Sequence, residues 1–125
     1  MIEKMKIPAE VKIGPYLIPI KEVGHIDNGE GAYLWGLTKS EDKEILLLRD
    51  VREDVKLETF WHEVVHALDH VWGALDLVDE RYRENIVRRL GISIYQFLVD
   101  NPGIFNSKKS GKKGVYRRKK AGGKS

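Results

Sequence analysis

Leu57-Glu58-Thr59-Phe60-Trp61-His62-Glu63-Val64-Val65-His66-Ala67-Leu68-Asp69-His70-Val71-Trp72 is the stretch around which the rest of the chain is read. Leu57, Phe60, Trp61, Val64, Val65, Leu68, Val71 and Trp72 recur at steps of three and four, the period of an amphipathic helix. Asp54 is placed to cap its start, and Gly73 to end it. At 100° per residue, Leu57, Trp61, Val64, Leu68 and Val71 fall within about 80° of one another, with His62 and His66 roughly opposite. The apolar side is thus free to pack while the other side carries His62-Glu63-Val64-Val65-His66, an H-E-x-x-H motif. Residues four apart on a helix lie one above the other, so two imidazoles can grip one metal ion while the Glu between them reaches a water bound to it. That is the arrangement of a zinc hydrolase. With four His and 11 Glu among 125 residues, chance would produce the motif about one time in a hundred.

A mononuclear catalytic zinc takes three protein ligands, so one more is required. His70 lies eight residues from His62, about 12 Å along the helix axis, too far for both to bind one ion. Asp69 fails in the same way. A second helix is expected from about Asp79 to Val99, with Tyr82, Ile86, Leu90, Ile94, Phe97 and Leu98 on one face and Asn101-Pro102-Gly103 stopping it. A short loop around Ala74–Val78 would fold the two into an antiparallel hairpin. The second helix offers Asp79, Glu80 and Glu84. His66 stands about 9 Å before the end of the first helix and Glu84 about 7.5 Å after the start of the second, which puts these two at one height. Glu84 also lies off the Tyr82/Ile86/Leu90 face, beside Gly91, where the helices can approach closely. Its competing role is a surface pair with Arg88 at i+4.

Upstream, Val11 to Leu48 is broken by Gly and Pro every few residues into short segments rich in Val, Ile, Leu and Tyr, the signals of strands. The expected strands are Val11–Ile13, Leu17–Val23, Ala32–Leu37 and Glu44–Leu48. Pro19 demotes the second to an edge or a bulge, since it cannot donate to a ladder. Asp27–Gly31 reads as a turn, and Lys39–Lys43 as a polar hairpin connection. The expected fold is α+β: a small N-terminal, mostly antiparallel sheet packed on an antiparallel two-helix hairpin, a minimal zincin-like domain over residues 1–106.

Composition bounds the rest. Hydrophobic residues make up 42% and charged residues 33% of the chain, the profile of a globular domain. The longest aliphatic run, Ile45 to Leu48, is four residues against the roughly 20 that a membrane span needs. The first residues mix charges and prolines where a secretory signal is apolar, and there is no cysteine, which points to a cytoplasmic protein, bacterial or phage-encoded. The lack of cysteine also excludes zinc ribbons, thiol catalysis and iron–sulfur clusters.

The net charge of +3 hides a split: residues 1–106 carry 13 Lys/Arg and all 19 Asp/Glu, whereas residues 107–125 carry nine Lys/Arg and no acid. With three apolar side chains, that terminal segment cannot offset the entropy of ordering it, and it reads as a disordered basic tail. Lys108, Lys109, Lys112, Lys113, Arg117, Arg118, Lys119 and Lys120 are its candidates for weak, sequence-independent contact with nucleic acid.

The segment Thr59-Phe60-Trp61-His62-Glu63-Val64-Val65-His66-Ala67-Leu68-Asp69-His70 resembles the zinc helix of the ImmA/IrrE-like metallopeptidases of bacteria and phages. Downstream, Glu84-Asn85-Ile86-Val87-Arg88-Arg89-Leu90-Gly91-Ile92-Ser93-Ile94 is similar to that family's E-x-x-A-x-x-F-A-x-x-L pattern, with Val87 in place of Ala and a short spacing from His66 as departures. The resemblance covers about residues 59–101, including Leu98-Val99-Asp100-Asn101-Pro102. It implies that His62, His66 and Glu84 bind Zn2+ and that Glu63 is the catalytic base. It further implies a protein or peptide substrate, a DNA-binding regulator being the kind that family members cleave.

The leading expectation is therefore an intracellular zinc-dependent peptidase. An edge strand above the zinc helix would pair with an extended substrate, and Ala32–Leu37, flanked by glycines, is the candidate. Tyr82 and Tyr95 are candidates for stabilising an oxyanion. The alternative is a nucleic-acid-associated or phage structural module in which the zincin body is not catalytic and the basic tail binds.

Overall fold

A computed structural model describes residues 5–27 and 34–104, which form four strands followed by two helices. Strands β1 (Glu10–Ile13) and β2 (Tyr16–Val23) make a hairpin, with Glu10 opposite Pro19 and Ile13 opposite Tyr16. Strands β3 (Gly36–Lys39) and β4 (Glu44–Leu48) make a second, with Gly36 opposite Leu47 and Lys39 opposite Glu44. The strand order is β1-β2-β4-β3, and β4 runs parallel to β2, with Ile20 opposite Ile45 and Val23 opposite Leu48. The sheet is therefore mixed: two of its three pairings are antiparallel, in line with the mostly antiparallel sheet expected, and the central one is parallel. The reason is topological: the chain leaves β2, skips one position to lay down β3, then returns through the 40–43 turn to fill the gap with β4.

Two strand expectations are corrected. Pro19 makes β2 neither an edge nor a bulge, because it sits where β2 passes from one partner to the next. Successive N–H groups alternate sides. Ile20 donates to Ala9 O on the β1 side at 2.8 Å, so the N–H that Pro19 lacks would face β4 one residue before that pairing begins. The third strand runs from Gly36 to Lys39, where Ala32–Leu37 was expected; Ala32 and Tyr33, with most of the Asp27–Gly31 turn, lie outside the described residues. The same holds for the 107–125 tail and its eight candidate nucleic-acid contacts.

Helix α1 (Glu53–Trp72) and helix α2 (Glu80–Asp100) form the expected antiparallel hairpin. The start of α1 falls at Arg52, which gives no side-chain cap; Asp54 sits in the first turn, paired with Arg52 at 2.8 Å and accepting from Val55 N–H. Gly73 closes the helix in the left-handed conformation, its N–H bonded to Asp69 O at 2.7 Å. Asp79 caps α2 by accepting from Arg81 N–H.

Alternation along the strands aims Ile13, Ile18, Ile45 and Leu47 at one side of α1, where they meet Phe60, Val64 and Ala67. On its other flank α1 packs against α2 through a smaller cluster of Val65, Leu75 and Val87. Because α1 is wedged between sheet and α2, its buried surface is wider than one apolar stripe. It takes in Phe60, Val65 and Ala67, while Leu68 and Trp72 stay exposed. Helix α2 turns Val87 and Gly91 inward and leaves Tyr82, Leu90 and Phe97, half of its expected apolar face, in the open. Among the described residues, no helix is long and apolar enough to cross a membrane.

Candidate metal centre

Because His62 and His66 are four apart on α1, their rings stack edge to face, 5.1 Å between centroids. Glu84 reaches across from α2 and meets both. Its Oε2 lies 3.0 Å from His62 Nε2 and its Oε1 lies 2.9 Å from His66 Nε2. The three side chains offer donor atoms that all fall within 4.8 Å of one another, the one group of this kind among the described residues.

The close approach that allows this comes from Gly91, as its place on the second helix suggested. A Cβ there would stand 2.8 Å from His62 Cα and 3.0 Å from His62 N, main-chain atoms with nowhere to go. Glu84 makes no pair with Arg88, whose Nη2 donates instead to Asn85 Oδ1 at 2.5 Å. Asp79 is occupied by its cap and by Arg81, and neither it nor Glu80 joins the group. Asp69 has a structural task, accepting the Leu75 N–H at 2.7 Å to shape the loop between the helices. His70 stacks on His66 at 6.2 Å; burial, and then His66, lowers its pKa.

Glu63, between the two histidines, is 6% exposed and is the buried charged residue of the described chain. Burial raises the pKa of its carboxyl, against the pull of the Thr38 hydroxyl and of the two histidines. Thr38 Oγ1 stands 2.7 Å from Glu63 Oε1 and 2.9 Å from Glu63 O. Neither contact was read from the sequence. Across this point β3 runs close over α1 at Gly36, where a Cβ would meet Thr59 Cγ2 at 2.6 Å and Glu63 Cγ at 3.0 Å. The glycine expected to admit a substrate backbone thus admits α1 itself.

These groups line a cleft of about 650 Å³, with Leu34, Trp35 and Leu37 along the sheet side, Glu58, Thr59 and His70 on α1, and Arg88 and Ile92 on α2. Tyr82 and Tyr95, the oxyanion candidates, are not among its walls. Tyr82 lies under the Arg81 guanidinium, and the Tyr95 phenol is pushed up by burial and by Asp54, Glu58 and Glu53.

Comparison with known protein families, with curated proteins and with solved structures returns no match for this chain.

Proposed function

We propose that the protein is a zinc-dependent peptidase of minimal zincin-like architecture, in which His62, His66 and Glu84 hold the metal and Glu63 acts as general base. The observation that carries the reading is the convergence of two imidazole Nε2 atoms and one carboxylate, from two different helices, beside a nearly buried fourth side chain able to accept a proton. Zinc bonds of about 2.0–2.1 Å to His nitrogen and carboxylate oxygen set neighbouring ligands roughly 3.4 Å apart in a tetrahedron. The observed separations of 2.9 and 3.0 Å lie about 0.4–0.5 Å inside that value, and one donor atom from each of the three residues falls within 4.8 Å of the others. Three protein donors of nitrogen and oxygen type are also what a catalytic zinc uses, with one position left open.

Bound there, zinc would supply Lewis-acid chemistry, activating water at neutral pH and polarising a carbonyl. The chain's own residues do the rest. Glu63 Oε1 is held by Thr38, while Oε2 takes no hydrogen bond from the described residues and is the oxygen free to take up a proton from the attacking water and return it to the leaving amine. Strand β3 is the edge of the described sheet, and Leu48 N–H donates to Trp35 O at 2.9 Å. Bonded and non-bonded pairs alternate in an antiparallel ladder, so Leu37 also faces β4 and the main-chain groups of Gly36 and Thr38 point outward. An extended peptide can add to that edge as a further strand. This favours a peptide or protein substrate over a small molecule and over a purely structural zinc.

The test has two parts. Elemental analysis of the purified full chain is expected to give about one zinc per molecule, lost in His66→Ala; a protein that neither carries nor takes up zinc overturns the reading. Incubation of the zinc form with a degenerate decapeptide library, new termini being read by mass spectrometry, is expected to show cleavage that Glu63→Gln abolishes while retaining the metal. Cleavage at an undiminished rate by Glu63→Gln would refute the role of the base.

The reading with nucleic acid as partner rests on the nine Lys/Arg of residues 107–125. Full-length protein retained on a DNA column at about 50 mM salt and released by truncation after Asn106 would support it as an added property.

A further inference from the structure

Among the described residues, the hydroxyl that touches Glu63 comes from the strand at the edge of the described sheet. Thr38 Oγ1 lies within hydrogen-bond distance of both ends of the same residue, the main-chain carbonyl at 2.9 Å and carboxylate Oε1 at 2.7 Å. A hydroxyl has a single proton to donate and can also accept. Facing an ionised carboxylate, it donates to Oε1, the stronger of the two bonds because the acceptor is charged. Facing a carboxylic acid protonated at Oε2, it goes on donating to Oε1, now the acid's carbonyl oxygen, or turns its proton toward the main-chain carbonyl. Both states through which a general base passes are thus satisfied without movement of the side chain.

A second observation concerns the other end of Thr38. Its N–H and C=O lie on the outward side of β3, as the ladder alternation sets them. The contact with α1 at Gly36, two residues earlier on the same strand, leaves no slack between β3 and Glu63.

We infer that Thr38 is a positioning residue for Glu63, its hydroxyl setting the carboxylate while its main chain receives the peptide, so that one residue fixes the register between substrate and base. The inference rests on the peptidase reading above. A threonine that merely satisfied a buried carboxylate would stabilise the fold and leave turnover alone; a positioning threonine changes turnover and leaves peptide binding alone, because the edge that binds is main chain.

The experiment uses the zinc-loaded full chain, Thr38→Val to remove the hydroxyl at nearly constant shape, and Thr38→Ser to keep it. The substrate is a quenched fluorescent peptide built on the sequence cut best in the decapeptide library. Thr38→Val is expected to lower kcat by about 10- to 100-fold, the scale of a misplaced catalytic group, with KM within about twofold and one zinc per chain retained. Thr38→Ser is expected to restore kcat to within a few fold. A readout independent of turnover is the melting temperature of the metal-free protein in a cycle of Thr38→Val, Glu63→Ala and the double variant, where the losses should not add. Should Thr38→Val fail to fold, Thr38→Ala removes the same hydroxyl. Unchanged kcat in the hydroxyl-free variant, a loss that serine does not rescue, or additive melting losses each overturn the role of Thr38 alone. A wild-type protein that holds zinc and cuts nothing in the library overturns the peptidase reading and this role with it.

Discussion

Gly91→Ala puts the helix pairing and the proposed metal centre under one test. The added Cβ would stand 2.8 Å from His62 Cα and 3.0 Å from His62 N. Ordinary contact begins near 3.4 Å, and main-chain atoms cannot rotate aside, so α2 must retreat from α1 by about 0.6 Å or tilt by an equivalent amount. Overpacking of this kind costs about 1–3 kcal/mol, against about 1 kcal/mol gained from replacing glycine inside a helix. The net is a loss of roughly 0–2 kcal/mol, each kcal/mol lowering Tm by about 4–8 °C in a domain of this size. The effect on the site is larger than the effect on stability. Glu84 lies seven residues, about 10.5 Å, from Gly91 on the same rigid helix, and sites of this kind tolerate displacements of only about 0.5 Å. Zinc affinity, measured by competition with a chromophoric chelator at neutral pH, should fall at least tenfold. Gly103→Ala, where a Cβ meets nothing within 4 Å, is the control and should change neither quantity. Wild-type affinity and an unchanged Tm in Gly91→Ala would refute the argument that the two helices meet main chain to main chain at this point.

The remaining predictions probe the scaffold. Lys21, hydrogen-bonded to Glu44 at 2.8 Å, and then Lys39 hold the Glu44 carboxyl below its ordinary range. A lowered folded-state pKa adds stability above the unfolded value that is lost as pH falls through the folded one. Glu44→Gln should therefore cost less than about 1 kcal/mol at pH 7, given partly exposed partners, with the difference closing toward pH 3 in urea melts. Asp69→Ala removes the acceptor of the Leu75 N–H and should cost about 1–3 kcal/mol; equal urea midpoints for variant and wild type would show that the loop does not depend on that bond.

How much of this was legible in the sequence follows from how local each feature is. The histidine pair and its carboxylate partner could be read because helix rise and an antiparallel turn convert residue numbers directly into heights, and Glu84 arrives where that arithmetic puts it. The strand order could not, because the pairing of β2 with β4 joins segments separated by all of β3. Periodicity likewise finds a single stripe on α1, whereas a helix wedged between two partners buries a broader surface, including Phe60 and Ala67 and excluding Leu68. The contact between Thr38 and Glu63 spans 25 positions and depends on which strand ends at the sheet edge over α1. A threonine alternating with glycine near a strand end carries no mark of that.

Two glycines flank the His62–Glu63 turn of α1 from opposite sides, and substituting the second separates the proposed base from the proposed metal centre. A Cβ at Gly36 would meet Thr59 Cγ2 at 2.6 Å and Glu63 Cγ and Oε2 at 3.0 and 3.2 Å. Thr59 has no easy escape, since its hydroxyl is bonded to Val55 O at 2.7 Å and fixes the rotamer. In Gly36→Ala, therefore, β3 backs away and carries Thr38 with it, stretching a 2.7 Å contact beyond hydrogen-bond range. His62, His66 and Glu84 belong to the two helices and do not depend on β3 for their spacing. Gly36→Ala should thus keep about one zinc per chain while cleavage of the decapeptide library falls at least tenfold, whereas Gly91→Ala should lose zinc first. Loss of zinc by Gly36→Ala, measured by elemental analysis of the folded protein, would show that the sheet and the metal centre are not mechanically separate, and that α1 transmits strain between its two faces.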